Sequence, residues 1–122
     1  MKIVDVRVRV FAYKTRRVVD SAGHSHPGPE HDARQALLTI TADDGTEGHA
    51  FGAPEVIRPH VVDKFIKTVF LGQDPFERER LWQELAHWQR GSAGQLTDRA
   101  LAVAEIALWD LLGRKLQVPV WK

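Results

Sequence analysis

Four valines, Val4, Val6, Val8 and Val10, alternate with Asp5, Arg7 and Arg9 near the start of the chain. A period of two places the valine row on one buried sheet face, and the register is held because a slip of one residue would bury the charges. The polar stretch Ser21 to Asp32 is punctuated by Gly23, Pro27, Gly28 and Pro29, which predicts a loop unable to join a ladder or a helix. A second strand is predicted over Ala36 to Ala42, stopped by Asp43-Asp44-Gly45, and Thr46 to Phe51 returns as a third. The pattern then lengthens. Ile57, Val61, Phe65 and Val69 recur every four residues, with Lys64 and Lys67 off the stripe, predicting an amphipathic helix that ends near Gly72. Asp74-Pro75 opens a second helix whose buried side is Leu81, Leu85 and Trp88, and which Gly91 and Gly94 break. A third helix starts near Thr97. From Ala100 to Leu112 only Glu105 and Asp110 interrupt its apolar run. Such a helix needs cover on more than one side, and in a small domain the sheet can supply one side only. The expected fold is α+β, a three-stranded antiparallel meander followed by three helices.

Composition narrows the function classes. A chain of 122 residues, 43% hydrophobic and 27% charged, suits one modest core and one domain. There is no apolar run of membrane-spanning length and no secretory pattern at the N-terminus, so a soluble, unexported protein is expected, and the lack of cysteine fits a cytoplasmic one. Seventeen basic and sixteen acidic residues are interleaved, which argues against a basic surface for nucleic acid. Of the six histidines, His24, His26 and His31 crowd into the loop after the first strand, with Glu30 beside them. Imidazoles near a carboxylate invite a metal reading, but the spacing His24-x-His26 on a flexible loop suits a closed site poorly.

The closing stretch carries the sharper signal. Ala107-Leu108-Trp109-Asp110, then Gly113-Arg114-Lys115, then Pro119-Val120, resembles in order and spacing the segment that leads from the capping domain into the barrel in the mandelate racemase and muconate lactonising branch of the enolase superfamily. Gly72-Gln73-Asp74-Pro75 with Leu81-Trp82 is similar to the opening of that domain's second helix. The resemblance implies that residues 1–122 form an N-terminal cap, with 113–122 leading into a modified TIM barrel of roughly 200 residues or more beyond Lys122. It implies a parent enzyme that abstracts a proton α to a carboxylate, with Mg²⁺ and the acid and base residues all held by the barrel. The implied partners are that barrel and a small carboxylate such as a sugar acid, in a homo-oligomeric full-length protein.

In the family, the loop after the first strand and the segment around Gly48 to Glu55 lean over the substrate. By position these carry His24, His26 and His31, and His49 and Phe51. Their polar groups suit the hydroxyls or carboxylate of a sugar acid, and Phe51 suits an apolar wall. Many relatives have an acidic residue near Ala50 and Phe51, so their substrates do not transfer directly. The plainer alternatives are a solvated histidine loop and a Phe51 turned into the core. Trp82, Trp88 and Trp109 are expected in the core or at the barrel interface, and Asp110 is expected to pair with Arg114. A polar, histidine-bearing lid favours dehydration of an acid sugar. Racemisation or cycloisomerisation shares the same half-reaction. Two other classes stay open, a stand-alone non-catalytic interaction module and a histidine-loop metal carrier.

Overall fold

The computed structural model describes residues 1–15, 18–19, 21–26 and 31–122. β1 (Ile3–Lys14) pairs antiparallel with β4 (Asp32–Ala42), which pairs antiparallel with β5 (Glu47–Gly52), in the order β1-β4-β5. This is the expected meander, with β4 four residues longer at its start. Asp32 to Gln35 continue the ladder by pairing with Phe11 to Lys14. β2 (Val18–Val19) and β3 (Ser25–His26) form a short ribbon within the long connection, so part of the stretch read as unable to pair does pair.

The valine row is corrected at both ends. The register with β4 shifts between Ile3 and Asp5, so Val4 is the extra residue of a bulge and is 52% exposed, while Ile3 and Val6 on either side of it are buried. Val10 is 38% exposed although its partner Ala36 is buried, because Val10 lies on the edge strand and Ala36 on the central one.

Three helices cover one face of the sheet. α1 runs over 59–70 as α-helical Pro59–Val61, π-helical Val62–Ile66 and α-helical Lys67–Phe70. Its buried residues come in pairs four apart: Val61 and Val62, Phe65 and Ile66, Val69 and Phe70. A repeat of four overshoots a turn of about 3.6 residues, and the wider π turn absorbs the difference, keeping all three pairs on the core side. The segment that leaves α1 pairs with the outer edge of β1 through Gly72 N–H to Ile3 O and Ile3 N–H to Gln73 O, both 2.8 Å.

α2 (Arg78–Arg90) buries Leu81 and Leu85, but not Trp88. Trp88 and Trp82 are both exposed, and Trp88 meets Phe65 edge-on at 6.3 Å. α3 (Asp98–Leu116) starts where expected, its N-cap Thr97 accepting from Ala100 N–H, a cap worth about 1 kcal/mol. α3 lies along β5, and its buried residues, among them Ala104, Leu108 and Leu111, complete a core with Val6, Leu38, Ile40, Phe70 and Leu85. Its other side is bare, as its sequence predicts: Ala102, Ile106 and Trp109 are exposed along one stripe.

Beyond α3, Gln117 takes a left-handed conformation (φ 57°) and Val118 N–H donates to Gly113 O at 3.0 Å, folding the tail back over the helix end. A Cβ at Gly113 would stand 3.0 Å from Val118 O, so the Gly-Arg-Lys motif has a local steric reason.

Lys115 ties the end of α3 to the β4–β5 turn, its Nζ 2.6 Å from Asp44 Oδ2. That ammonium, with the Thr46 backbone amide, holds the Asp44 carboxyl well below the usual carboxylate range. A depressed folded pKa means that this contribution is complete above the unfolded value of about 4 and is lost as pH falls through the folded one. Asp44→Asn is therefore expected to lower the melting temperature at pH 7, and the gap from wild type should close as pH drops below about 3. Melting curves across that range check this. A gap independent of pH would assign the difference to the turn rather than the ion pair.

Candidate functional site

Alternation along the three strands sorts their side chains between two faces. Val6, Leu38, Ile40, Gly48 and Ala50 face the helices and are buried. The opposite face carries Arg7, Arg9, Phe11 and Tyr13 of β1, Gln35, Leu37, Thr39 and Thr41 of β4, and Glu47, His49 and Phe51 of β5, matched row by row in the register.

That open face changes character along its length. At the end near the tight turn, Arg7 donates to Glu47 Oε2 at 2.8 Å and to Thr41 Oγ1 at 3.1 Å, and Asp5 joins through Arg7 and Lys67. The Arg7 hydrogen bond is the main reason that the Glu47 carboxyl lies below its ordinary range. Midway, Thr39 Oγ1 stands 3.0 Å from His49 Nδ1. At the far end Phe11, Tyr13, Gln35, Leu37 and Phe51 line a shallow, mostly apolar groove, with the Arg9 guanidinium 5.9 Å from the Phe11 ring centre.

The two readings of Phe51 are thereby separated. Phe51 is 62% exposed and paired across from Leu37, while its neighbour Ala50 is the residue that enters the core. His49 shares its face, so this predicted pair does come together. The loop histidines are placed differently. Past Gly52, which pairs with Ala36, β1 and β4 continue as a two-stranded arm, and His31 sits at its end. There Thr15 N–H donates to His31 O at 2.9 Å, His31 N–H to Thr15 Oγ1 at 3.0 Å, and Thr15 Oγ1 stands 3.2 Å from His31 Nδ1. His31 thus fastens the base of the loop. His24 is exposed in the turn between β2 and β3, and the backbone of His26 pairs with Val18. Glu30 lies outside the described residues.

Sequence reasoning missed Phe11, Tyr13 and Leu37 as members of the open face. The signal was present: the apolar positions of β1 change parity after Val10, from even to odd, so Phe11 and Tyr13 belong to the face opposite Val6 and Val8.

A second surface lies on the helices. Ile106 and Trp109 are exposed on α3, followed by Leu116, Val118, Val120 and Trp121 in its end and tail. The Arg78 guanidinium stacks 4.1 Å over the Trp109 ring and pairs with Glu105 at 2.7 Å, which holds the indole in place at the surface. The three tryptophans expected in the core or at an interface are thus all surface residues. Among the described residues no three His, Asp or Glu side chains gather in a way that could hold a metal ion, and no helix is long and apolar enough to cross a membrane. The described residues therefore bring together no donor set that would fit a Mg²⁺.

Comparison with known proteins gives these surfaces a context. The family model described as the mandelate racemase / muconate lactonizing enzyme N-terminal domain matches residues 7–122. A solved structure of D-glucarate dehydratase from Agrobacterium tumefaciens complexed with magnesium superposes with a TM-score of 0.88 and 64% identity, over 99% of this chain and 32% of that one. A 3,6-anhydro-alpha-L-galactonate cycloisomerase of Streptomyces coelicolor is 38% identical over 95% of this chain and 33% of its own length. D-galactonate dehydratase of Cronobacter sakazakii is 31% identical over 73% of this chain and 24% of its own. The chain thus spans about a third or less of the length of these relatives.

Proposed function

Because the chain belongs to the mandelate racemase / muconate lactonizing enzyme family, as its N-terminal domain, we propose that it is the cap of an acid-sugar dehydratase and closes over the substrate of a barrel domain that follows it. The observation that supports this most is the 64% identity to D-glucarate dehydratase over nearly the whole chain. Residues 113–122 lead into the barrel in this reading. The exposed stripe of Ile106 and Trp109, with Trp121 beyond it, is the apolar surface that the barrel covers.

The site itself is divided between the two domains. Proton abstraction α to a carboxylate produces an enediolate, and a Mg²⁺ bound by the barrel would supply the stabilisation of that charge. This chain's residues bind, orient and exclude water. Phe51, with Phe11, Tyr13 and Leu37 around it, offers an apolar wall to the C–H side of a sugar acid. His49, whose Nδ1 is engaged by Thr39, keeps Nε2 as its second polar atom for a hydroxyl or a carboxylate oxygen. His24, His26 and His31 belong to the lid, with His31 at its hinge, and closure of the lid keeps water from the enediolate.

The test uses the full-length polypeptide with Mg²⁺ and a panel of sugar acids that includes D-glucarate and D-galactonate. Incubation in D₂O is expected to exchange the α proton of at least one of them and to release a dehydrated 2-keto product, both read by NMR. Exchange without loss of water would replace dehydration by racemisation or cycloisomerisation, the reading that the Streptomyces relative's name favours. A native polypeptide that ends at Lys122, or no exchange with any acid, would defeat the enzyme reading and leave a binding module.

A further inference from the structure

We infer that Asp110 is a positioning residue, a clamp on α3 that fixes β5 and, through it, the presentation of His49 and Phe51. The inference rests on the reading of those two residues as substrate-facing.

Asp110 is one of only two charged residues in the apolar run of α3 from Ala100 to Leu112, and its carboxylate reaches across to a strand 61 residues earlier. Asp110 Oδ2 accepts the backbone N–H of His49 at 2.8 Å. β5 is an edge strand with β4 on one side only, so the carboxylate takes the place that a neighbouring strand's carbonyl would fill. A hydrogen bond to a charged acceptor is about twice as strong as a neutral one.

Two neighbours make the seat specific. Gly48 lies so close to α3 that a Cβ there would stand 2.2 Å from Ala107 O, so the strand meets the helix backbone with no side chain between them. On the other side Arg114 Nε approaches the same Oδ2 at 2.9 Å, which balances the charge and orients the carboxylate. Once the His49 amide is held, alternation decides the rest: Ala50 goes inward and Phe51 outward, two residues from the clamp. Beyond Phe51 only the pairing of Gly52 with Ala36 continues the ladder, with Gly52 packed close to Val103 and Ile57.

The test compares Asp110→Ala and Asp110→Asn in the full-length polypeptide, with D-glucarate as probe. The alanine variant is expected to raise KM about tenfold with kcat within about twofold, the signature of lost binding rather than lost chemistry. It should also speed amide exchange in the Glu47–Gly52 segment about tenfold while the β1–β4 ladder keeps its protection, which separates the clamp from general unfolding. Asparagine still offers an oxygen to the His49 amide but lacks the charge, so it is expected to recover part of both readouts, to within about fourfold of wild type. Asparagine as damaging as alanine, or alanine with unchanged exchange in β5, would overturn the clamp. Phe51→Ala separates the two readings. If it leaves KM unchanged while Asp110→Ala still loosens β5, the substrate-facing reading fails and the clamp of α3 on β5 stands.

Discussion

Gly48→Ala is expected to destabilise the protein by about 3 kcal/mol, at the upper end of the usual cost of overpacking a core. An added Cβ would lie 2.2 Å from Ala107 O, 2.5 Å from Leu111 Cβ and 2.6 Å from Leu111 N. Two of these atoms are helix backbone, so no side chain can rotate away, and β5 and α3 must separate. Separation would stretch the His49–Asp110 hydrogen bond and open the seam between Ala50 and α3. Against a typical total stability of about 5–15 kcal/mol the loss is large. Gly91→Ala is the control, since a Cβ there meets nothing nearer than 4.0 Å and φ is an ordinary −96°. Urea denaturation of the two variants decides the point. Equal midpoints would mean that α3 does not approach β5 as closely as described.

Phe70→Ala is expected to cost about 3–5 kcal/mol, the range for emptying a large aromatic site in a packed interior. Phe70 is fully buried at the end of α1, just before the segment that pairs with Ile3 on the edge of β1. Its loss therefore weakens the core at the point where helix and sheet are also tied by backbone hydrogen bonds. Size alone does not set the cost. Trp121 is larger but 84% exposed, and in residues 1–122 alone, without the barrel proposed to cover it, Trp121→Ala is expected to stay within about 0.5 kcal/mol of wild type. Thermal and urea unfolding of both variants test the ranking, and a Phe70 variant as stable as the Trp121 variant would contradict the assignment of the core.

Part of the candidate site was legible in the chain. His49 and Phe51 stood out through the family resemblance, which by position places them in a segment that leans over the substrate. The direction in which Phe51 points was not legible. Its strand reads Gly48-His49-Ala50-Phe51, and a small residue in the core and a large one outside runs against the usual preference. Only the closeness of α3 explains it: the helix side of β5 has room for Gly48 and Ala50 and none for a phenyl ring. Trp88 shows the same dependence. Its helical spacing from Leu81 and Leu85 was read correctly, but the neighbouring surface covers only part of the predicted stripe.

By itself the sequence determined the period of the three strands of the main sheet and of the three helices, the Asp43-Asp44-Gly45 turn, the start of α3 near Thr97, the pairing of Asp110 with Arg114 and the bare apolar side of α3. These depend on backbone geometry and on residues a few positions apart, so short stretches carry them. The tertiary structure alone decided the bulge at Val4, the extension of β1 and β4 into an arm, and the bond from Asp110 to the His49 amide. Each depends on which element lies opposite, often dozens of residues away, and on whether a face finds cover. Local periodicity can mark a face as apolar, but the packing of the whole chain decides whether that face is buried.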